Sequence, residues 1–320
     1  MLNLDINYQH IVWSHDPLPY EQFIHKGLLL SRIIQPRLTV GVSDRVNLTF
    51  SGLIGVRKMI WESDEFSIHH RTEQTTSDFV RPNNGEIQAK GGVFGDSRIQ
   101  FRFLYKDVGM KEGSRVYFGA GLVIPSRVQL RANPFSKPEN EDDTDEWLSG
   151  EYSHRHFSLS NGVYKSSFEI QIFNKRFSNP IFYGAVLSLD LPLSESKYGF
   201  LPGKSYSLST SVIYELKSEK RFSPKGIQLG ISLFAFEESF WSGVPAPNSK
   251  NTMLIPTLGS VWLTSKGSLS ISFQKPFFIE GKSVMIGTAS NSDDPLSSKT
   301  DLYEISIGYR RNLGYMIPWL

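Results

Sequence analysis

A histidine and a serine stand two residues apart in the segment GEYSHRHFSLSNG, which contains His156 and Ser158. On an extended strand both side chains point to the same face, so the imidazole could remove the proton of the serine hydroxyl. If the following strand extended back without a bulge, both would share the apolar face of Phe168. Asn161 comes three residues after the serine and Glu169 has the opposite parity, so no third residue that would orient the imidazole can be identified. The pair makes an acyl hydrolase an alternative, and a polar loop is the favoured interpretation.

Other groups of potential ligands have spacings that do not suit a metal. His69 and His70 are adjacent, so on a strand they point to opposite faces. His154 and His156 share parity but lie in loop-like sequence. The acidic run from Glu139 to Glu146 has neither the spacing nor the glycine of an EF-hand. The chain has no cysteine and no phosphate-binding glycine loop, so the sequence predicts no metal and no cofactor.

Apolar and polar side chains alternate strictly in GGVFGDSRIQFRFLYKD, which starts at Gly91. One parity carries the apolar residues Ile99, Phe101, Phe103 and Tyr105, and the other carries the polar residues Arg98, Gln100, Arg102 and Lys106. A strand with one apolar and one charged face needs two different surroundings. In an outer-membrane barrel, lipid covers the first face and water reaches the second.

The same alternation recurs along the chain and predicts about twelve strands. Their predicted ranges are residues 4–13, 33–42, 45–56, 98–107, 115–124, 167–176, 180–192, 204–216, 226–237, 253–264, 267–279 and 301–312. Strands of about ten residues match the 9–11 that cross a bilayer at a tilt. No amphipathic helix of convincing length lies between them.

The predicted connections alternate between short turns and long loops. The two longest are near residues 57–97 and 125–166, and the first short turn is Ser43-Asp44. Short periplasmic turns and long extracellular loops are typical of outer-membrane barrels. The sequence therefore predicts an all-β fold, a single up-and-down antiparallel transmembrane β-barrel that occupies residues 1–320 as one domain.

Composition agrees with strands and excludes some partners. Aromatic residues make up 13% of the chain, charged residues 21%, and the net charge is only +2. The basic residues are scattered, so no nucleic-acid partner is expected. No segment reaches the roughly 20 apolar residues of a spanning helix. The first residues, MLNLDINYQH, show no signal-peptide pattern. The predicted barrel nevertheless indicates a location in a bacterial outer membrane.

Three segments resemble one family. They are TVGVSDRVNLTF, GGVFGDSRIQFRFLYK and YFGAGLVIPSR, and they carry short glycine and aspartate signatures at Gly41, Asp44, Arg45, Gly95, Asp96, Gly119, Gly121 and Pro125. These signatures are similar to those of outer-membrane barrels grouped as the phenol-degradation MetA-pathway family, which are described as transporters. The likeness is strongest over residues 33–127. It implies a barrel and transport, with no binding site to carry over.

The polar faces supply a set of residues predicted to line the lumen. They are Arg45, Asn47, Arg98, Gln100, Arg102, Lys106, Glu304 and Arg310. A ring of cations would favour anionic solutes, whereas interior acids such as Glu169 and Asp190 could pair with the arginines and neutralise them.

The predicted function is a porin-like channel or transporter for small molecules, including hydrophobic or aromatic ones, and no enzyme activity is expected. The expected partners are outer-membrane lipid, lipopolysaccharide and a small solute. The oligomeric state does not follow from the sequence. Besides the acyl hydrolase that would use His156 and Ser158, a non-conducting structural or adhesive barrel is the remaining alternative.

Overall fold

A computed structural model describes residues 1–15, 25–61, 79–80, 87–89, 93–109, 111–129, 158–218, 222–246, 249–281 and 299–313. These residues form a barrel of twelve antiparallel strands. The prediction of an all-β transmembrane barrel of about twelve strands is confirmed. No helix in the described ranges is long and apolar enough to cross a membrane.

The barrel strands follow one another in chain order. They are β1 (Leu2–His15), β2 (His25–Gly41), β3 (Val46–Ser51, continued as Ile54–Trp61), β4 (Ser97–Lys106), β5 (Gly113–Ile124), β6 (Lys165–Lys175), β7 (Phe182–Pro192), β8 (Ser205–Glu215), β9 (Gly226–Phe236), β10 (Asn251–Thr264), β11 (Gly267–Gln274, continued as Phe277–Glu280) and β12 (Lys299–Arg311). Each pairs with its neighbours in sequence.

The first and last strands close the sheet. Leu2 of β1 lies opposite Leu38 of β2 on one side and opposite Arg311 of β12 on the other. Within the described ranges, this closure pairs the first strand with the last, as a membrane requires because lipid offers no hydrogen-bond partners to a strand edge.

Two strands extend further than the sequence patterns indicated. We expected a loop over residues 14–32, but β2 begins at His25 and includes GLLLSRII. Leu29 and Ile33 point inward and are buried, so this stretch is apolar on both faces and shows no alternation. The second strand piece of β3 likewise continues to Trp61, so the first long loop starts later than residue 57.

The two faces of the barrel differ as the alternation predicted. Outward side chains such as Phe101 and Leu187 are 56% and 47% exposed, whereas the inward Gln100 and Ser167 are 3% and 0% exposed. An apolar surface open to the outside and a polar interior are the reverse of a soluble protein, and they fit a barrel surrounded by lipid.

Five short strands lie at the long-loop end of the barrel, within the described residues. Phe79–Val80 and Ile87–Ala89 extend the sheet beyond β3, and Phe200–Leu201, Phe240–Trp241 and Val244–Pro245 form a separate sheet. In that sheet Phe200 packs on Trp241, with ring centroids 4.8 Å apart. The loops after β7 and β9 are thereby fixed to each other.

Candidate lumen site

Two arginines predicted to line the lumen are held by carboxylates. Arg102 Nε donates to Glu169 Oε1 at 2.6 Å, and its Nη2 donates to Glu169 Oε2 at 3.2 Å. Arg98 Nη2 donates to Asp190 Oδ2 at 2.6 Å, and its Nη1 donates to the Ser167 hydroxyl at 2.7 Å. Within the described residues, the interior acids therefore neutralise these arginines in a paired network.

Glycines of β5 make room for this network. A Cβ atom at Gly119 would lie 3.1 Å from Glu169 Oε1 and 3.2 Å from Gln100 Nε2. At Gly121 it would overlap the carbonyl oxygen of Ile99 on the paired strand. The glycine-rich face seen in YFGAGLVIP thus lets the polar side chains of β4 and β6 lie close to the barrel wall.

A cavity of about 420 Å³ opens at the long-loop end of the lumen. Its apolar lining includes Ile11, Phe236, Met253, Ile255, Phe278 and Leu302, and its polar lining includes Gln9, Arg57, Asp96, Lys165, Gln274 and Glu304. A cavity of this size, mostly apolar with a few polar groups, is typical of small-molecule sites. We call it the long-loop cavity.

One wall of the cavity is a chain segment that folds inward ahead of β6. Leu159 donates its amide hydrogen to the Val128 carbonyl at 3.0 Å and is buried against the barrel, where its Cδ2 is 3.2 Å from the position of a Cβ on Gly55. Arg57 Nη1 donates to the Ser158 carbonyl at 2.7 Å. Strand β6 begins only at Lys165.

Ser158 therefore does not share the outward face of Phe168. The strand does not extend back to it, and the residue lines the long-loop cavity instead. His156, the other half of the proposed acyl-hydrolase pair, lies outside the described residues.

Asp96 fastens the inward segment at the start of β4. Its carboxylate accepts the Ser126 amide hydrogen at 3.1 Å and a hydrogen bond from the Ser160 hydroxyl, and Ser160 Oγ in turn accepts the Gly162 amide at 2.9 Å. Burial raises the pKa of the Asp96 carboxyl above its usual value, although these hydrogen bonds and the nearby Lys165 oppose the shift. Desolvation is the dominant cause.

Across the cavity, three side chains form a polar row on neighbouring strands. Glu304 of β12 lies opposite Gln9 of β1 on one side and opposite Gln274 of β11 on the other. Gln9 Nε2 donates to Glu304 Oε2 at 2.7 Å, and Ser306 Oγ donates to Glu304 Oε1 at 3.0 Å. We call Gln9, Glu304 and Gln274 the acceptor row.

The predicted lumen residues do not form one group. Asn47, Arg98, Gln100 and Arg102 lie along β3 and β4, and Glu304 lies across the lumen on β12. Arg45, Lys106 and Arg310 are exposed at the short-turn end. Of the residues that line the long-loop cavity, the sequence placed Arg57 and Glu304 on the lumen side. It missed Asp96, which fell in a predicted loop, and Gln9, which was interpreted only as part of a strand.

The chain matches no protein-family model. It also matches no curated protein in sequence. A crystal structure of an outer-membrane channel from Pseudomonas putida F1 is similar, with a TM-score of 0.52 and 12% identity over 97% of this chain and 94% of that one. At this identity the likeness shows the fold alone. The chain is thus an all-β barrel with the fold of an outer-membrane channel.

Two further structures align over most of their length but more loosely. The TodX monoaromatic hydrocarbon channel, in a mutant form, has a TM-score of 0.41 and 9% identity over 98% of this chain and 90% of that one. The KdgM porin has a TM-score of 0.39 and 7% identity over 96% and 99%. Both are too distant to carry an argument. Membership of the phenol-degradation MetA-pathway family stays a prediction.

Proposed function

We propose that this protein is a channel or transporter for small molecules in a bacterial outer membrane. One observation carries the proposal: a closed barrel with an apolar exterior and a polar interior contains the long-loop cavity at one end. A wall of this kind satisfies its backbone groups within the sheet and offers solutes a polar interior. The short turns would face the periplasm, and the long loops would face lipopolysaccharide.

The pairing of the lumen charges bears on which ions such a channel would favour. Arg98 and Arg102 each have a carboxylate partner at 2.6 Å. Paired charges cancel much of the field that would otherwise attract anions. The proposal is therefore a weakly ion-selective path for small solutes, and the apolar lining of the long-loop cavity supports solutes with hydrophobic or aromatic parts.

Conductance of the refolded protein across a planar bilayer tests this function. Because the natural chain has no cysteine, single cysteines can be introduced at Ser205, which lines the long-loop cavity, and at Ser242, which is exposed in the loop after β9. A bulky charged thiol reagent should reduce conductance through Ser205→Cys and leave Ser242→Cys unchanged. The absence of discrete conductance, or equal block of both variants, would contradict the proposed path.

A further inference from the structure

The acceptor row has an excess of hydrogen-bond acceptors and of negative charge. Within the described residues, no lysine, arginine or histidine nitrogen lies within 4.0 Å of the Glu304 carboxylate, which accepts hydrogen bonds from the neutral groups of Gln9 and Ser306. The Oε1 atom of Gln9 is buried and, among those same residues, receives no hydrogen. A carboxylate can accept about four hydrogen bonds. The row is therefore suited to a ligand group that is rich in donors.

Apolar side chains follow the acceptor row toward the long-loop end. Ile11 and Leu302 are the next inward pair on the strands that carry Gln9 and Glu304. Further along the neighbouring strands, Met253 lies opposite Phe278, and all four side chains line the same cavity. On this wall of the cavity, the acceptor row near the middle of the barrel is therefore followed by apolar side chains toward the long-loop end. A ligand with one polar end and one apolar end matches this order.

The basic residues of the opposite wall have their own partners. Arg57 donates to the Ser158 carbonyl at 2.7 Å. Lys165 interacts electrostatically with Asp96 and Asp190. Among the described residues, neither side chain hydrogen-bonds or ion-pairs with Glu304, so the carboxylate of the acceptor row is available for a bound cation.

We propose that the long-loop cavity binds a small primary ammonium compound with an apolar body. The ammonium group has three N–H donors and one positive charge, which suit the Glu304 carboxylate and the side-chain oxygens of Gln9 and Gln274. The apolar body would lie against Ile11 and Leu302. The site rests on the proposed function only for the route by which the solute arrives.

Calorimetric binding of three ring compounds to the refolded protein in detergent micelles tests the ligand class. Cyclohexylamine is cationic at neutral pH, cyclohexanol has the same ring with a neutral donor, and cyclohexanecarboxylate is an anion. The amine should bind about tenfold more tightly than the alcohol, because hydrogen bonds to charged groups are about twice as strong as neutral ones. No binding of the amine, or equal or tighter binding of either other compound, would overturn the proposal.

A pair of matched variants tests the residue. Glu304→Gln keeps the shape and removes the charge, so binding of cyclohexylamine should fall about tenfold. Glu195→Gln is the control, because Glu195 is exposed in the loop after β7 and is not one of the residues that line the cavity. The control should bind the amine like the natural protein. If Glu304→Gln bound cyclohexylamine as tightly as the natural protein, the Glu304 carboxylate would not be part of the binding site.

The binding assay separates this inference from the channel itself. Binding in micelles requires no solute flux. Binding of the amine without conductance would therefore support the binding site and contradict the proposed channel function. Conductance without binding of the amine would support the channel function and contradict the binding site. Heat-modifiable mobility on a gel shows that each variant has folded, and the ligand series with the natural protein decides the class even if Glu304→Gln does not fold.

Discussion

Glu169 and Asp190 each form an ion pair with an arginine of the lumen, but the two pairs differ in their exposure to solvent. The Arg102 and Glu169 side chains are 15% and 8% exposed, whereas those of Arg98 and Asp190 are 32% and 18% exposed. When one partner of a buried ion pair is removed, the remaining charge is left unpaired away from water, and this lowers the free energy of unfolding more than the same change in a hydrated pair. The effect of neutralising each acid should therefore differ.

Glu169→Gln should lower the free energy of unfolding by about 3 kcal/mol, because it leaves the Arg102 guanidinium without its carboxylate. Asp190→Asn should cost about 1 kcal/mol, since Arg98 is more hydrated and keeps its bond to Ser167. Urea titrations in lipid vesicles measure both values. The exposed Glu195, changed to Gln, is the control and should have no effect. A larger cost for Asp190→Asn would contradict the argument from burial.

The buried carboxyl of Asp96 should make stability depend on pH. Burial raises its folded-state pKa above the usual 3.8, so the folded protein holds this proton more tightly than the unfolded chain does. The stability that depends on this group is therefore present at low pH and declines as the pH rises from about 3.8 through the folded pKa. The difference in unfolding free energy between the natural protein and Asp96→Asn should fall over that range. A difference that grows with pH would reverse the assigned sign.

At the scale of the elements, the pairing of β4 with β5 depends on a residue without a side chain. Gly121 lies opposite Gln100, and a Cβ there would be 3.0 Å from the Gln100 Cα and would overlap the Ile99 carbonyl. Backbone atoms cannot move aside as the end of a flexible side chain can. The strand pair itself would have to separate.

Gly121→Ala should therefore lower the free energy of unfolding by about 1–3 kcal/mol, the usual cost of overpacking. Gly41→Ala is the matched control, because a Cβ at that position meets no heavy atom within 4 Å. Chemical unfolding in vesicles compares the two. Equal stability of both variants would show that β4 and β5 can relax apart without cost.

The two faces of β8 allow a comparison at the scale of the whole molecule. Leu208 points outward between Leu187 and Leu233, and it is 42% exposed. Ser209, the next residue, points into the lumen. One substitution placed at each position therefore meets lipid in one case and the polar interior in the other.

Leu208→Arg should lower the free energy of unfolding by about 2–4 kcal/mol, the cost of a lipid-facing arginine near the bilayer midplane. Ser209→Arg should cost less because the lumen can hydrate or pair a charge. Folding yield and unfolding in vesicles measure both. If the two variants lost the same stability, lipid would not be the solvent of the outer face.

The sequence by itself determined the barrel, because alternation with a period of two is a local property that each strand carries independently. It failed where that local signal was absent, at the start of β2, because Leu29 and Ile33 are apolar residues that face inward. The residues that share the long-loop cavity, in contrast, are specified only by the tertiary structure. Gln9 and Glu304 are 295 residues apart in the chain, and they become neighbours because barrel closure pairs the first strand with the last. Alternation specifies which face a residue occupies, but only closure and the inward fold of the segment around Leu159 specify which side chains share a cavity.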